Sequence, residues 1–357
     1  MSPDRGMASV ALTDVSYSFD ATKVENSKNS FHFVRSFVDY FYLILKANQD
    51  ELYITKNFSK FAGLCVGDAH AENFGFLVQQ NGASKFTVND FDDFGPCPVA
   101  YDLYRFMMSS TLYDSTLDVG RVFDMYMKGL MGEQVAPPPV IQNMLATSQS
   151  RGDSISPKKL TGSNLVRDDL TSEVTPQVRE AVRVALLGFA PSSRILDIVK
   201  TMKEGGGSAG MVRYQVLANI GGQVRYLEFK EQTQASVYPV ATAPLLDAKS
   251  KIFTAIRMEQ GSQASKLYGY AQVLGADMLI RPIFWGSVGV SLGSSQDDDF
   301  DAIYFEAYTL GQIHRQSVTD LNGYIKALQT HDIEGWKSDV NTMAHFMSKK
   351  YKAVRSN

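Results

Sequence analysis

The chain has 357 residues, enough for two domains or lobes, and its 44% hydrophobic content is enough for a sizeable core, which excludes global disorder. A formal charge of −3 supplies no basic field for nucleic acid and no polybasic run for an anionic membrane. Two cysteines, Cys65 and Cys97, and five scattered histidines are too few for a disulfide framework or a zinc site, so a reducing compartment and no structural metal are expected.

The first residues lack a charged start followed by a long apolar run, and no stretch reaches the eighteen or so apolar residues of a membrane span, so a cytoplasmic location is expected. Residues 1–28 read as a polar arm. Phe31, Val34, Val38, Phe41 and Leu45 recur at helical spacing and predict one helix over 31–45. "GLCV" (63–66) reads as a buried strand ending at Gly67, and "FGFLV" and "KFTV" as a hairpin around "QNGAS". A helix starts in "AYDLYRFMMSSTLY" and continues in "VGRVFDMYMKGLM". "APPP" (136–139) stops regular structure, and 148–176 is a polar stretch with no legible pattern.

Helical patterns resume at "QVREAVRVALLGF" and "SRILDIVKTMKE". Residues 205–232 alternate as a glycine-rich β-hairpin, and "DMLIRPIFWGSVGVSL" is a further strand stretch. Near the end, Ile303, Ala307, Leu310 and His314 share one helix face, where His314 is expected to be a packing residue. Asp297 to Asp299 read as a solvated loop.

Chemistry concentrates in "GDAHAENFG" (67–75) and "NDFDD" (89–93). Asp68 and Asn73 lie five apart after one strand, and Asp90 follows another. Phosphoryl transfer uses such a set: one Asp orients the attacking hydroxyl, while an Asn and a second Asp offer hard oxygens to Mg²⁺. "GGGSAGMV" fits G-x-G-x-x-G-x-V, with Gly205, Gly207, Ser208 and Gly210 placed to cover phosphates. A helix before it and a strand after it argue against a dinucleotide fold, and no Walker A follows. Lys230, in "YLEFKE", stands where a kinase places its phosphate-pairing ammonium.

The order is reversed relative to ordinary kinases, since Asp68, Asn73 and Asp90 precede the glycine segment and Lys230. The helix "AYTLGQIHRQ" (307–316) looks like the one that runs into the "HGDLHxxN" loop of aminoglycoside-type phosphotransferases, yet the matching loop lies at 67–75. Circular permutation accounts for both facts.

From about Phe31 to His314 the chain resembles a bacterial domain-of-unknown-function family, number 2252, on "FHFVRSF", "GDAHAENFG", "VNDFDDFGPCPVAYDLYR", "GGGSAGMVRYQVL", "LEFKEQTQAS", "IRPI" and "LGQIHRQS". That family looks related to protein-kinase-like and aminoglycoside-type phosphotransferases. The resemblance implies an α+β, two-lobed, protein-kinase-like fold in circularly permuted order. A large lobe of 29–195 and 296–357 would flank a β-rich nucleotide lobe of 196–295. It implies Asp68 as catalytic base with His70 orienting the loop or touching substrate, and Asn73 and Asp90 as Mg²⁺ ligands. Lys230 would pair with ATP phosphates beneath 205–210, and Asp102 would brace the catalytic loop.

Two departures are visible. Val66 stands where many kinases have His, and the metal motif reads Asp-Phe-Asp, so Asp92 joins Asp90 as a candidate ligand. Glu259 is the candidate acidic partner of Lys230, ahead of Glu231, which alternates to the other strand face. Arg281 reads equally as a core-edge cation or a phosphate contact. The expected activity is ATP- and Mg²⁺-dependent phosphotransfer to a hydroxyl-bearing small molecule. Adenylyl transfer, a nucleotide-binding module without turnover, and a plain scaffold stay open. No nucleic-acid or membrane partner is expected.

Overall fold

The computed structural model describes residues 10–203, 205–330 and 332–356. Helices α1 (Ala21–Glu25), α2 (Ser30–Ser36), α3 (Val38–Ala47) and α4 (Tyr53–Phe58) open the chain. Strands β1 (Ala62–Cys65), β2 (Phe74–Val78), β3 (Ser84–Val88) and β4 (Gly95–Pro98) follow, then helices α5 (Val99–Tyr113), α6 (Val119–Met131) and α7 (Pro139–Arg151). Next come β5 (Leu160–Thr161), β6 (Asn164–Leu165), β7 (Thr171–Glu173), α8 (Pro176–Phe189), β8 (Arg194–Thr201), β9 (Arg213–Ile220) and β10 (Gln223–Glu231). The chain closes with α9 (Ala248–Gln260), β11 (Gly269–Val273), β12 (Ala276–Pro282), β13 (Val288–Gly289), α10 (Gln296–Arg315), α11 (Leu321–Thr330) and α12 (Ile333–Arg355).

This is a mixed helical and sheet architecture of the α+β kind. A six-stranded antiparallel sheet runs in the order β11-β12-β10-β9-β8-β7. Alternation splits its faces. Ile198, Tyr214, Val216, Phe229 and Ile280 pack under Val182 and Leu186 of α8. Arg213, Glu228, Lys230 and Arg281 point the other way. Helix α8 and strand β7 pack with this sheet although they precede residue 196.

The larger core is helical, with α3, α5, α6, α10 and α12 around Tyr42, Tyr104, Tyr126, Leu310 and Trp336. Helices α6 and α10 cross closely because both carry glycine at the contact: a Cβ on Gly129 would lie 2.0 Å from the Tyr308 carbonyl, and one on Gly311 2.2 Å from that of Tyr126.

Several expectations change. The single helix over 31–45 is two, broken at Phe37 (φ −129°, ψ 64°). The break lets Phe33, Phe37 and Tyr40 stack against Tyr17 and Phe19, so the described part of the polar arm packs onto the core, and residues 1–9 lie outside the described residues. The helix expected in "SRILDIVKTMKE" is strand β8, and its register slips between Ile195 and Asp197. That bulge flips the side-chain parity, so Ile195 and Ile198 share one face and Leu196 and Val199 the other, a spacing of three that imitates a helix.

The expected continuous helix after "AYDLYR" is the separate pair α5 and α6. "APPP" begins α7 with Pro139 in its first turn, and the stretch 148–176 adds the end of α7, a small hairpin and β7. Asp297 to Asp299 form the first turn of α10, where carboxylates suit the positive helix end, and Asp299 is buried against the Tyr113 hydroxyl (2.5 Å).

The cysteine reading is overturned. Cys65 and Cys97 form a disulfide, with Cα atoms 5.8 Å apart. Two thiols suffice because β1 and β4 are antiparallel neighbours, which brings side chains 32 positions apart to one face. The pairing removes the basis for expecting a reducing compartment. Among the described residues no helix is long and apolar enough to cross a membrane.

Asp339 of α12 accepts the Ile54 amide (2.8 Å) and so caps α4, whose own N-cap, Leu52, has no capping side chain. It is 4% exposed, and burial raises its carboxyl to about 6. The folded state therefore holds a proton that the unfolded state has released between roughly pH 4 and pH 6. Stability from this group is greatest at low pH and falls as pH rises through about 6. Asp339→Asn is expected to flatten that decline, worth on the order of 2–3 kcal/mol, in urea unfolding compared at pH 4.5 and 7.5.

Candidate functional site

The two acid-rich stretches and the glycine segment meet. A cleft of about 230 Å³ is lined by Asp68, His70 and Asn73, by Asp90 and Asp92, and by Gly206, Gly207 and Ser208. Arg35, Glu72, Lys203 and Arg281 complete its charged wall. Each loop is short and anchored by strands on both sides: β1 and β2 hold 66–73, and β3 and β4 hold 89–94.

Gly67 lets the first loop touch the second. Its φ is +85°, and a Cβ there would sit 2.1 Å from the Asp93 carbonyl. Asn73 ties the loops together, since its Nδ2 donates to the carbonyls of Asp68 (3.0 Å) and Asp90 (3.2 Å). That leaves Asn73 Oδ1 as the atom with ligand capacity. Glu72 takes a left-handed backbone (φ 75°), held by hydrogen bonds from Arg35 (2.5 Å) and the Leu292 amide (3.0 Å) to its carboxylate.

Asp68 is clamped. Arg105, fully buried on α5, donates to its Oδ1 at 2.5 Å and to the Val34 carbonyl at 2.9 Å. His70 Nε2 lies 3.5 Å from Asp68 Oδ2, while its Nδ1 bonds the Ala71 carbonyl. Burial alone would raise the Asp68 carboxyl, but His70 and Arg105 outweigh it and hold the group well below the ordinary range. Asp68 is therefore a fixed anion and a poor proton acceptor.

Asp102 braces the same loop from below. Its carboxylate accepts the amides of Val66 (2.5 Å) and Gly67 (3.0 Å). His314 Nε2 sits 3.1 Å from Asp102 Oδ2, and its Nδ1 is 2.8 Å from the Tyr126 hydroxyl. His314 is a buried residue with a positioning contact as well as a packing one. Tyr42 closes the brace by donating to the Gly67 carbonyl (2.7 Å).

Lys230 has no exposed surface and reaches across 140 residues to Asp90, at 2.8 and 2.6 Å to the two oxygens, and to Asp92. Burial would raise the Asp90 carboxyl, but Lys230 and then Arg281 hold it far below its ordinary value. Gln232 donates to Asp92 Oδ1 (2.9 Å), and Lys251 to the Asp92 carbonyl (2.6 Å). Asp93 is pushed up to about 6 by burial and by Asp68.

Glu259 is not the partner of Lys230. It is buried on α9, neither carboxylate oxygen has a hydrogen-bond partner among the described residues, and burial with Asp90 nearby raises it well above the usual range. Lys230 turns to the loop carboxylates instead. Of the glycine segment, Gly207 and Ser208 reach the cleft together with Gly206, whereas Gly205 and Gly210 do not line it. The Gly207 carbonyl accepts from Lys23 of α1 (2.8 Å).

The acids offered to a metal are hard oxygen donors of the type Mg²⁺ takes. Among the described residues, no three of His, Cys, Asp and Glu converge as a self-sufficient cage. Asp90 and Asp92 are engaged by the Lys230 ammonium, which leaves Asn73 Oδ1 as the free hard oxygen of the set among the described residues, so a cation held here would also need waters or phosphate oxygens.

Sequence reasoning missed Arg105, Arg35 and Glu72. Arg105 was legible in part, since it follows Asp102 by three positions on one helix face and both brace the same loop.

Residues 25–121 match the model of a family described as an uncharacterized protein conserved in bacteria, DUF2252. The match covers α2 to α5 and both acidic loops. No curated protein and no solved structure matches the chain.

Arg105→Met is expected to lower folding stability by on the order of 3 kcal/mol, because it strands a mostly buried anion. Adding Asp68→Asn to that variant should recover a measurable part of the loss in urea titration, since the stranded charge goes with it.

Proposed function

We propose that the protein is an ATP- and Mg²⁺-dependent phosphotransferase of kinase-like type, in circularly permuted order, acting on a hydroxyl-bearing small molecule. One observation carries the reading. Lys230, on a strand next to a glycine hairpin, is within hydrogen-bond distance of Asp90 in the cleft that also holds Asp68 and Asn73. A glycine flap, two acids and an amide around one hollow, with the buried ammonium of Lys230 behind Asp90 and not itself lining the hollow, are parts that could position a triphosphate and neutralise it.

The arrangement of helix α10 supports the permuted order. Its exit docks on the entrance of β1: Thr319 donates to the Ala62 carbonyl (2.9 Å), and the Leu64 amide donates to Ser317 Oγ (3.1 Å). A helix that feeds the catalytic loop in ordinary kinase order is thus beside that loop here, though the chain arrives 257 residues later. The sheet order, with Lys230 on the central β10 and the glycine hairpin between β8 and β9, is compatible with a nucleotide lobe.

In this reading Asp90, Asp92 and Asn73 would hold Mg²⁺, which supplies charge neutralisation to the phosphates when bound. Lys230 binds phosphate oxygens when they draw it from the loop carboxylates. Asp68, kept ionised by Arg105, accepts a hydrogen bond from the acceptor hydroxyl and fixes its line of attack. A loose transition state asks little of a base before bond cleavage, so a weakly basic carboxylate serves. The clamp on Asp68 also favours one second reading, a nucleotide-binding module without turnover.

Mg-ATP at about a hundred times its dissociation constant is expected to stabilise the protein by roughly 2.7 kcal/mol in thermal unfolding. Asp68→Asn should leave that shift within a few tenths of a kcal/mol and cut turnover by roughly 10²–10⁴-fold. A wild-type protein with no shift sinks both readings. A shift without turnover on any hydroxyl acceptor leaves the module, and transfer of α- rather than γ-labelled phosphate marks adenylyl transfer.

A further inference from the structure

The charged face of the six-stranded sheet holds a continuous chain of contacts that the proposed chemistry does not by itself require. Ser208 of the glycine flap accepts from Arg213 Nη2 (2.6 Å). Arg213 Nη1 donates to Glu228 Oε1 (3.0 Å), and Arg281 Nε donates to Glu228 Oε2 (2.7 Å). Arg281 Nη1 then reaches the Asn89 carbonyl, one residue before Asp90, at 3.4 Å. Glu228 is 5% exposed. Burial would raise it, but Arg281, Arg213 and Lys230 hold it down to about 2, so it is an anion between two guanidinium groups.

The geometry is asymmetric in a useful way. Arg281 Nε and Nη2 both engage Glu228, which pins the planar fork. Among the described residues its Nη1 has the long contact to Asn89 alone, and the side chain, 24% exposed, lines the cleft beside Asp90. A guanidinium pinned by two bonds to one carboxylate while it lines the cleft is preorganised for an anionic oxygen there. Arg213 does not line that hollow, but it carries Glu228's other oxygen to the flap.

We propose that Arg281 reads the terminal phosphates of the nucleotide and that Glu228 and Arg213 transmit its engagement to the glycine flap through Ser208. The inference rests on the phosphoryl-transfer reading and names the residue that discriminates phosphate number in the same site. Arg281 is then a phosphate-binding residue, and Arg213 and Glu228 are positioning residues.

The test measures the dissociation constants of Mg-ATP, Mg-ADP and AMP, and of inorganic triphosphate with Mg²⁺, by calorimetry on wild-type protein, Arg281→Gln, Arg281→Lys and Arg213→Gln. Arg281→Gln should weaken Mg-ATP and inorganic triphosphate by roughly 10- to 100-fold and AMP by less than about twofold. Arg281→Lys keeps the charge, loses the fork and should fall between; it also stands in should the Gln variant not fold. Arg213→Gln should weaken Mg-ATP although it does not face the cleft, and with Arg281→Gln its effect should be less than additive.

The relay is overturned if Arg281 variants bind Mg-ATP as wild type does, or lose AMP and ATP equally, while the phosphotransferase reading survives. Triphosphate binding that depends on Arg281 in a protein that ignores ATP supports the relay and sinks the nucleotide assignment. Wild-type protein that binds neither ATP nor triphosphate ends both.

Discussion

An ammonium with no exposed surface, held by two carboxylates from a distant part of the chain, is the interaction on which the cleft depends. Lys230 belongs to the six-stranded sheet, while Asp90 and Asp92 belong to a loop anchored on the helical core. Bringing such charges out of water costs several kcal/mol per ion, and their attraction repays this only with close geometry and further hydrogen bonds. Those are present in part: Gln232 donates to one Asp92 carboxylate oxygen and Lys251 to the Asp92 backbone carbonyl, and Arg281 lies close enough to Asp90 to lower its proton affinity further. A buried ion cluster of this kind is a weak source of net stability, and breaking it by removing one partner is costly because the other charge is left buried and unpaired.

The same logic extends to Asp68. Its anion is fixed by a buried arginine from α5, and the backbone of its loop is fixed by Asp102 from the same helix. Helix α5 thus carries both the support of the loop and one of the two charges, with His70, that hold the Asp68 carboxylate ionised. Gly67 and Asn73 join that loop to its neighbour by backbone contact, and a larger residue at position 67 would part them. The disulfide between Cys65 and Cys97 crosses the strands that launch one loop and receive the other, so the frame is closed at its base as well as at its tip.

Much of this was legible early because it is local. Asp68, Asn73 and Asp90 sit at fixed offsets from strand ends, and a strand end holds its next residues in place whatever the rest of the chain does. Lys230 and the glycine hairpin were legible for the same reason. Strand β8 was not, since a single extra residue at its bulge turned a period of two into an apparent period near three. The break at Phe37 also escaped, because Phe31 to Leu45 is apolar on so many sides that one helix fits its spacing as well as two.

Residue types and their offsets thus determined which groups are present and on which loops they stand. Pairing between distant groups was decided only in three dimensions. Two cysteines become a disulfide only when β1 lies beside β4, and Arg105 becomes the partner of Asp68 only when α5 packs beneath its loop. Lys230 meets Asp90 rather than Glu259 for the same physical reason: a buried charge takes whichever opposite charge the packing leaves within about 3 Å, and chain distance does not enter that choice.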